Sequence, residues 1–242
     1  MRSLIALVLA FLATWPSAVA AQQKFGPDAT PLFGNLDYFR KATSTDYWLL
    51  SAFYIGQRSP NDSSVASAVM AANALLGLPE RANDEVVRPG DLINQVANQK
   101  WLNDVAPSGR GVTASEFGTY LRESLNAVGL ESATIAATTP ASAEQAALDT
   151  FRAALATSEA SLRDVMLVHF DRSIVTGSGG LHVSPIGAYD EAKDLVLVMD
   201  VDRDRYIPYW TPAATLLVAM VKPAATGPLA GERGGYFVVA RP

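Results

Sequence analysis

The sequence predicts an α+β fold in which helices come first and an antiparallel sheet follows. Segments with the composition and end signals of helices lie between residues 63 and 129, whereas short apolar and β-branched runs lie mainly after residue 163. This order differs from the regular alternation of strand and helix that builds a parallel sheet. With 242 residues, 49% hydrophobic and 18% charged side chains, the chain is suited to one folded domain.

The first twenty residues have the pattern of an export signal. Residues 1–3 carry a positive charge, and an uncharged apolar run follows from residue 4 to 15 that is too short to span a bilayer. Ala18-Val19-Ala20 supplies the small residues that signal peptidase requires. We therefore expect a signal peptide at 1–20, a single domain at 21–242, and an exported protein, periplasmic or secreted, that has no membrane segment after cleavage. An uncleaved N-terminal anchor is the alternative.

The composition excludes several classes of function. Lys and Arg number 19 against 24 Asp and Glu, so no excess of positive charge is available to neutralise the phosphates of a nucleic acid. The chain contains no cysteine, which excludes disulfides, thiolate metal ligands and a thiol nucleophile. The two histidines, His169 and His182, are therefore the main candidates for acid–base chemistry near neutral pH.

The first part of the mature chain is predicted to contain a loop-like segment and a buried helix. Ala21 to Leu49 has scattered aromatic side chains without clear periodicity, which is typical of a loop segment packed on the body of the domain. Ser63 to Leu76 consists mostly of Ala, Val, Met and Leu, with small polar residues near its start. This composition predicts a helix that is buried on most sides and ends at Gly77.

Three further helices are predicted. Thr113-Ala114-Ser115-Glu116 has the capping-box pattern and opens an amphipathic helix. The alanine-rich segment from Ser142 to Ala156 favours a second helix by propensity. The third helix runs to Met220, with Thr211 as its N-cap and Pro212 at its first helical position.

A hairpin in the C-terminal half brings a histidine and an aspartate together. Pairing Tyr189 with Lys193 across the loop at 190–192 sets His182 opposite Asp200, with β-carbons about 5 Å apart. Such a carboxylate can orient an imidazole and stabilise its charged form. A half-exposed cross-strand pair without a catalytic role is the alternative. The hairpin belongs to a set of four predicted strands, Asp164–Phe170, Leu181–Tyr189, Asp194–Val201 and Tyr236–Ala240.

The start of the buried helix offers the third member of a site. Unpaired N–H groups and the positive end of the helix dipole favour a developing oxyanion at Ser63. Gln57, six residues earlier, carries an amide that could be a second oxyanion donor. Simple N-capping of the helix is the alternative role for Ser63 and Ser64.

These residues resemble the phytochelatin synthase family, the papain-like γ-glutamylcysteine dipeptidyltransferases, over most of the mature chain. Gln57, then Ser63, and Asn73-Ala74-Leu75 at the helix end are similar to the nucleophile segment of the family. The run from His182 to Tyr189 resembles the family motif His-Phe-Ser-Pro-Ile-Gly-Gly-Tyr. Asp200 follows His182 by 18 residues, which is the spacing in the family.

The resemblance implies a papain-like cysteine-protease fold, a helical lobe whose central buried helix packs on an antiparallel sheet. It implies that Ser63 is the nucleophile, His182 the general base and then acid, Asp200 the orienting residue and Gln57 an oxyanion donor. The implied reaction releases glycine from glutathione through a γ-Glu-Cys acyl-enzyme, whose acyl group passes to water or to a second glutathione. Glutathione is thus the implied partner, with no stably bound cofactor, no protein metal site, and heavy-metal thiolate complexes of glutathione as candidate substrates.

Three residues are candidates for substrate binding. Arg203 and Arg233 could bind carboxylates through two hydrogen bonds each, and Arg203 also matches a motif of the family. Surface ion pairs are the alternative for both. Gly180 ends a glycine-rich run that gives flexibility beside His182.

The chain departs from the family at the nucleophile itself. Ser63 stands where the family has cysteine, Ser64 where it has glycine, and Asp62 where an aromatic residue is usual. A serine hydroxyl must lose its proton during attack, and we expect the charge of Asp62 to oppose an oxyanion beside it. The sequence leaves open cleavage or transfer of the γ-Glu-Cys unit and binding of γ-glutamyl peptides, or their metal complexes, without cleavage. Serine hydrolysis of a different amide is a third reading.

Overall fold

The structure, a computed structural model, describes residues 24–42, 45–79, 81 and 86–242. The predicted signal peptide at residues 1–20 lies outside these ranges. Within them, none of the helices has the length and apolar character needed to cross a membrane.

An antiparallel sheet of seven strands forms the centre of the described part of the chain. In chain order the strands are β1 Thr30–Pro31, β2 Thr134–Thr138, β3 Asp164–Asp171, β4 Leu181–Asp190, β5 Leu195–Val198, β6 Tyr209–Pro212 and β7 Gly235–Ala240. Across the sheet their order is β1-β6-β5-β4-β3-β7-β2. Together with the helices, this sheet confirms the predicted α+β class.

Helices cover both faces of the sheet. Leu167 and Val183 share a core with α3 to α6 on one face, whereas Val168 and Ile186 pack with α7 and α9 on the other. The helices in the described ranges are α1 Leu36–Lys41, α2 Thr45–Ser51, α3 Ser63–Leu76, α4 Pro89–Val96, α5 Gln99–Val105, α6 Ala114–Ala127, α7 Gln145–Glu159, α8 Arg172–Thr176 and α9 Ala213–Val221.

Helix α3 has the bounds predicted from its composition, Ser63–Leu76. All of its residues except the last are buried, because small alanine side chains let neighbouring helices and the sheet approach it closely. Asn73 holds its far end in place, since the side-chain amide donates to the Val87 carbonyl and accepts from the Val87 N–H, both at 2.9 Å. Gly77 follows with a φ of +90°, a backbone conformation that favours glycine.

The capping box at Thr113 and Glu116 is present and opens α6 as predicted. The helix predicted from Ser142 to Ala156 also exists, but it begins and ends three residues later, at Gln145–Glu159. The difference arises at its start, where the Ser142 hydroxyl accepts from the Glu144 N–H and shapes a turn before the helix.

The prediction of a loop-like segment from Ala21 to Leu49 is wrong where β1, α1 and α2 form. The two helices have only six and seven residues, too few for a hydrophobic period to show in the sequence. Tertiary packing stabilises α1, because Tyr38 and Phe39 contact the ring of Trp210 at centroid distances of 5.2 and 5.8 Å. The segment does pack on the body of the domain.

The helix predicted from Thr211 to Met220 is wrong at its start. Thr211 lies in β6, opposite Val196 of β5, and its side chain is fully buried. The helix α9 begins at Ala213, after Pro212 in the N-cap position. Thr211, a β-branched residue, thus lies in a strand rather than at the N-cap of the helix.

The predicted hairpin register is also wrong. Tyr189 pairs with Val196 rather than with Lys193, and β5 ends at Val198, so Asp200 lies outside the ladder. A bulge at Gly187 shifts the pairing further, and a side chain at that position would come within 2.9 Å of Met199. A loop of four residues, rather than the predicted three, separates the paired ends of the two strands.

Asp46, near the start of α2, is a buried acidic group. Its residue is 5% exposed. Burial and the negative charges of Asp164 and Glu159 raise its pKa from 3.8 to about 8, against a hydrogen bond from Ser158 that lowers it. The unfolded chain releases this proton at lower pH than the folded chain does, so the free energy of unfolding falls as pH rises between these two values.

We therefore expect Asp46→Asn to be more stable than the wild type, by a margin that grows with pH. The margin should increase by up to about 1.4 kcal/mol per pH unit between pH 4 and 8, because asparagine has no proton to release. Urea unfolding at a series of pH values measures it. Asp37→Asn, at an exposed position of α1, is the control and should change the free energy of unfolding by less than about 0.5 kcal/mol. A margin independent of pH would contradict this account of Asp46.

Candidate active site

Two serines join helix α3 to the sheet by binding the backbone of a single residue. The Ser63 hydroxyl accepts a hydrogen bond from the Val183 N–H at 3.2 Å, and the Ser67 hydroxyl donates one to the Val183 carbonyl at 3.0 Å. Strand β5 ends at Val198 and does not reach this part of β4, so the serines take the place of a neighbouring strand. The N-terminus of α3 is thereby held beside Val183, the residue that follows His182.

His182 and Asp200 form a buried hydrogen-bonded pair. The ring Nε2 lies 2.9 Å from Asp200 Oδ1, and the two side chains are 4% and 0% exposed. The ring of Phe170, the partner of His182 on β3, lies edge-on at a centroid distance of 6.0 Å and restricts the imidazole further. Because Asp200 uses Nε2, Nδ1 is the ring nitrogen that remains for proton transfer.

The Asp200 carboxylate is the most heavily bonded group of this site. Its Oδ1 accepts from the Asp202 N–H at 2.9 Å, and its Oδ2 accepts from the Tyr209 hydroxyl at 3.1 Å. Arg172 Nη1 lies 3.4 Å from Asp200 Oδ1 and 2.9 Å from Asp202 Oδ2. Burial acts to raise the pKa of Asp200, but His182, Arg172 and these hydrogen bonds lower it to about 2. Asp200 is therefore ionised at neutral pH and can stabilise an imidazolium.

Gln57 lies within the same region. Its backbone N–H donates to the carbonyl of Val201 at 2.8 Å, next to Asp200 in the chain. Its side-chain Oε1 is buried without a hydrogen-bond partner, and the residue lines a cavity of about 190 Å³ together with Arg58 and Arg172. A half-turn of the amide would present the Nε2 donor instead.

The three candidate substrate-binding residues lie at different distances from this pair. Arg203 packs its guanidinium over the ring of Tyr54 at 4.6 Å, and the Tyr54 hydroxyl donates to the Asp200 carbonyl at 2.5 Å. The Gly180 carbonyl accepts from the Arg172 N–H at 3.0 Å. Arg233 is exposed in the segment before β7 and makes no hydrogen bond or ion pair within the described ranges. Arg203 and Gly180 thus each contact a residue, Tyr54 or Arg172, that in turn contacts Asp200. In the part of the chain that the structure describes, Arg233 has no such link to the His182–Asp200 pair.

Sequence reasoning missed Arg172, Tyr209 and Tyr54, which all contact Asp200. Tyr54 and Arg172 lie 146 and 28 residues from Asp200 in the chain, and Tyr209, nine residues away, reaches it only through tertiary packing. One signal was available, since Arg172 directly follows the apolar strand β3, where a charged side chain needs a partner if it is buried. Burial and the negative charge of Asp200 raise the pKa of Tyr209, so its hydroxyl remains a donor.

The carboxylate of Asp62, whose charge is expected to oppose an oxyanion beside it, is paired with a guanidinium in the structure. Asp62 is 1% exposed and accepts from Arg58 through both carboxylate oxygens, with Nε at 2.6 Å and Nη2 at 3.1 Å. The Arg58 backbone N–H donates to the same carboxylate at 3.2 Å. The guanidinium therefore compensates the charge locally.

The hydroxyl of Ser64 also has a hydrogen-bond partner. Its hydroxyl is fully buried and accepts a hydrogen bond from Trp101 Nε1 at 3.0 Å. The indole ring in turn stacks on Tyr120 at a centroid distance of 4.9 Å. A buried indole N–H needs a partner, and Ser64 provides it.

The second histidine, His169, is 1% exposed and lies on β3, where it is the strand partner of Val183. Its Nε2 donates to the carbonyl of Val112 at 2.9 Å, which leaves Nδ1 buried without a partner. Burial, helped by the nearby charge of His182 and opposed by the hydrogen bond to the Val112 carbonyl, lowers the pKa of His169 from 6.5 to about 4. His169 is therefore neutral near pH 7.

No group of three or more His, Cys, Asp or Glu side chains with the geometry of a metal site occurs among the described residues. A hydroxyl at the start of a buried helix, bound to the residue that follows an imidazole oriented by an ionised carboxylate, makes this a candidate acyl-transfer site on an α+β scaffold.

A family profile described as phytochelatin synthase matches residues 35–233. The chain therefore belongs to the phytochelatin synthase family. This family membership was predicted from the motifs around Ser63, His182 and Asp200, and it is confirmed.

The curated relatives are plant enzymes. Glutathione gamma-glutamylcysteinyltransferase 1 of Arabidopsis thaliana is 32% identical over 98 residues, which cover 40% of this chain and 20% of that protein. The protein of the same name from Triticum aestivum is 38% identical over 100 residues, 41% of this chain and 19% of that protein. The match spans about a fifth of the length of these relatives.

Removing the partner of Trp101 should destabilise the fold. We expect Ser64→Gly to lower the free energy of unfolding by about 1–3 kcal/mol, because it leaves a buried N–H unsatisfied. Urea unfolding measures the change. Trp101→Phe removes the donor, and in a double-mutant cycle Ser64→Gly should cost less in that background. Equal costs in the two backgrounds would contradict a contribution from this hydrogen bond.

His169 should make the protein sensitive to mild acid. The unfolded chain binds a proton at this histidine near pH 6.5 and the folded chain only near pH 4, so stability falls as pH falls through this window. His169→Gln, which keeps an N–H donor for Val112, should therefore gain up to about 3 kcal/mol on the wild type between pH 6.5 and 4. Urea unfolding across this range tests it, and parallel curves for the two proteins would contradict the account.

Proposed function

We propose that the protein cleaves glutathione or a related γ-glutamyl peptide by an acyl-enzyme mechanism, with release of glycine and hydrolysis or transfer of the γ-Glu-Cys unit. Family membership supports the substrate class. The observation that carries the proposal is the buried His182–Asp200 pair, with Nε2 and Oδ1 at 2.9 Å, next to the residue that binds Ser63. Glutathione thiolate complexes of heavy metals belong to the same substrate class.

The first half of the reaction forms an ester. Ser63 Oγ attacks the carbonyl carbon of the cysteinyl residue while His182 Nδ1 accepts the hydroxyl proton. The negative charge that develops on the carbonyl oxygen is stabilised by the N-terminus of α3 and by the amide of Gln57. The C–N bond to glycine then breaks, and the imidazolium gives its proton to the leaving amine.

The second half restores the enzyme. Water, or the α-amine of a second glutathione, attacks the ester carbonyl while His182 again accepts a proton. The bond between the carbonyl carbon and Ser63 Oγ breaks, and that oxygen takes the proton back. Asp200 keeps the imidazole oriented throughout and stabilises its charged state.

The substrate carboxylates require cationic partners. Arg203, whose guanidinium lies exposed over Tyr54 close to Asp200, is the favoured partner by position. Arg233 is a second candidate, on the segment before β7, and Gly180 leaves room beside His182 because a side chain there would meet no neighbour. We also propose that the protein acts after export, in the periplasm or outside the cell, because residues 1–20 have the pattern of a signal peptide.

Binding without cleavage is the second candidate function. The hydrogen bond of the Ser63 hydroxyl is with the Val183 N–H, and among the described residues Ser63 makes none with the imidazole. Attack requires that contact to form, and apo structures often show it only after substrate binds. A site in which it never forms would bind a γ-glutamyl peptide without turnover.

Glycine release separates these functions. Purified protein is incubated with reduced glutathione, free glycine is followed over time, and the assay is repeated with Ser63→Ala and Ser63→Cys. We expect release by the wild type and a loss of at least about 10³-fold in Ser63→Ala, which lacks the nucleophile. Ser115→Ala, at an exposed serine of α6, is the control and should keep the wild-type rate.

Other outcomes decide against cleavage at Ser63. Glycine release that survives Ser63→Ala would overturn the acyl-enzyme at this residue. Release by Ser63→Cys alone, with saturable binding of glutathione by the wild type in calorimetry, would assign the protein to binding without cleavage.

A further inference from the structure

The first described residues of the chain lie against the candidate site, before the region matched by the family profile. This segment, Lys24–Ala29, is called the N-terminal arm. Gly26 approaches α8 so closely that a side chain there would come 2.9 Å from the Val175 carbonyl oxygen. The Ala29 N–H donates to the Gly26 carbonyl at 3.2 Å, and Ala29 is 5% exposed. The arm is therefore packed on the domain at a defined place.

Phe25 of the arm contacts two tyrosines. Its ring meets Tyr206 edge-on at a centroid distance of 5.7 Å and Tyr209 at 6.0 Å. The two tyrosine rings also lie edge-on to each other at 6.0 Å, so the three rings form one cluster. Edge-to-face aromatic contacts of this kind fix ring orientation as well as burying area.

Both tyrosines are bonded to the network around Asp200. Tyr209 donates its hydroxyl to Asp200 Oδ2 at 3.1 Å, and the guanidinium of Arg172 lies over the face of Tyr206 at 5.0 Å. Arg172 bridges Asp200 and Asp202 in turn. The ring of Phe25 thus contacts Tyr209 directly and reaches Arg172 through Tyr206.

We propose that Phe25 is a positioning residue of the active site, which holds Tyr206 and Tyr209 so that Asp200 keeps the imidazole of His182 in place. This inference rests on the proposed acyl-enzyme function. Without the ring, Tyr209 gains room to turn and Asp200 Oδ2 loses its partner. The carboxylate is fully buried, so no water replaces that donor without rearrangement.

The test uses a probe of residue 63 that needs no turnover. The chain has no cysteine, so Ser63→Cys introduces a single thiol, and its alkylation by iodoacetamide reports how readily the thiolate forms. The sulfur attacks the methylene carbon, iodide leaves, and mass spectrometry counts the product. At pH 6.5 an unassisted thiol, with a pKa of about 8.5, is largely protonated, so fast alkylation reports activation by His182.

In this background we expect Phe25→Ala and Phe25→Leu to slow alkylation by about tenfold, because a displaced imidazole is less able to take the proton of the thiol. Phe25→Tyr, which keeps the ring, should restore the rate. Phe33→Ala changes an exposed phenylalanine outside the cluster and should leave the rate unchanged. Thermal unfolding of each variant separates an effect on the site from a loss of folded protein, and Phe25→Leu keeps apolar volume in case Phe25→Ala fails to fold.

Two results would overturn the inference in different ways. If His182→Ala slows alkylation but the folded Phe25→Leu variant keeps the parent rate, Phe25 has no positioning role and the proposed site stands. If alkylation does not depend on His182, then this histidine does not activate residue 63, and both the proposed function and the role of Phe25 fail.

Discussion

The site depends on one ionised carboxylate that has no exposed surface. Asp200 lies outside the strand ladder, yet its two oxygens accept from His182, Tyr209 and the Asp202 N–H, with Arg172 close by. A buried charge without such partners would cost several kcal/mol or become protonated. Folding of the segments around Asp200 therefore has to bring these partners together. The same contacts hold the imidazole of His182 in one orientation.

The residues that depart from the family motif are each accommodated by this fold. Arg58 compensates the charge of Asp62, Trp101 donates to Ser64, and the Val183 N–H donates to Ser63. At the N-terminus of α3 the charge of Asp62 is therefore paired, and the indole N–H of Trp101 has an acceptor. Such matching is what a retained polar site requires. An ordered hydroxyl of this kind suits both a slow nucleophile and a surface that binds a peptide.

Prediction from sequence succeeded where local signals were strong. Helix α3 has its predicted bounds because an alanine-rich segment with a glycine after it admits few other structures. The contact of His182 with Asp200 is present although the register used to predict it is wrong, since the chain leaves β5 at Val198 and Asp200 reaches the ring from a loop. Register and bulges depend on packing between strands, as at Gly187 against Met199, which a single sequence does not display.

The cost of the network argues for a role beyond stability. Replacing buried ion pairs by apolar side chains of similar volume is often neutral or stabilising by about 1–4 kcal/mol. Asp200, Asp202 and Arg172 nevertheless form a buried group of two acids and one base, with a tyrosine on either side. Apolar side chains at these positions would stabilise the sheet at least as well. The arrangement is better explained by its effect on His182, because a fixed, ionised carboxylate both holds an imidazole in one tautomer and stabilises it when protonated.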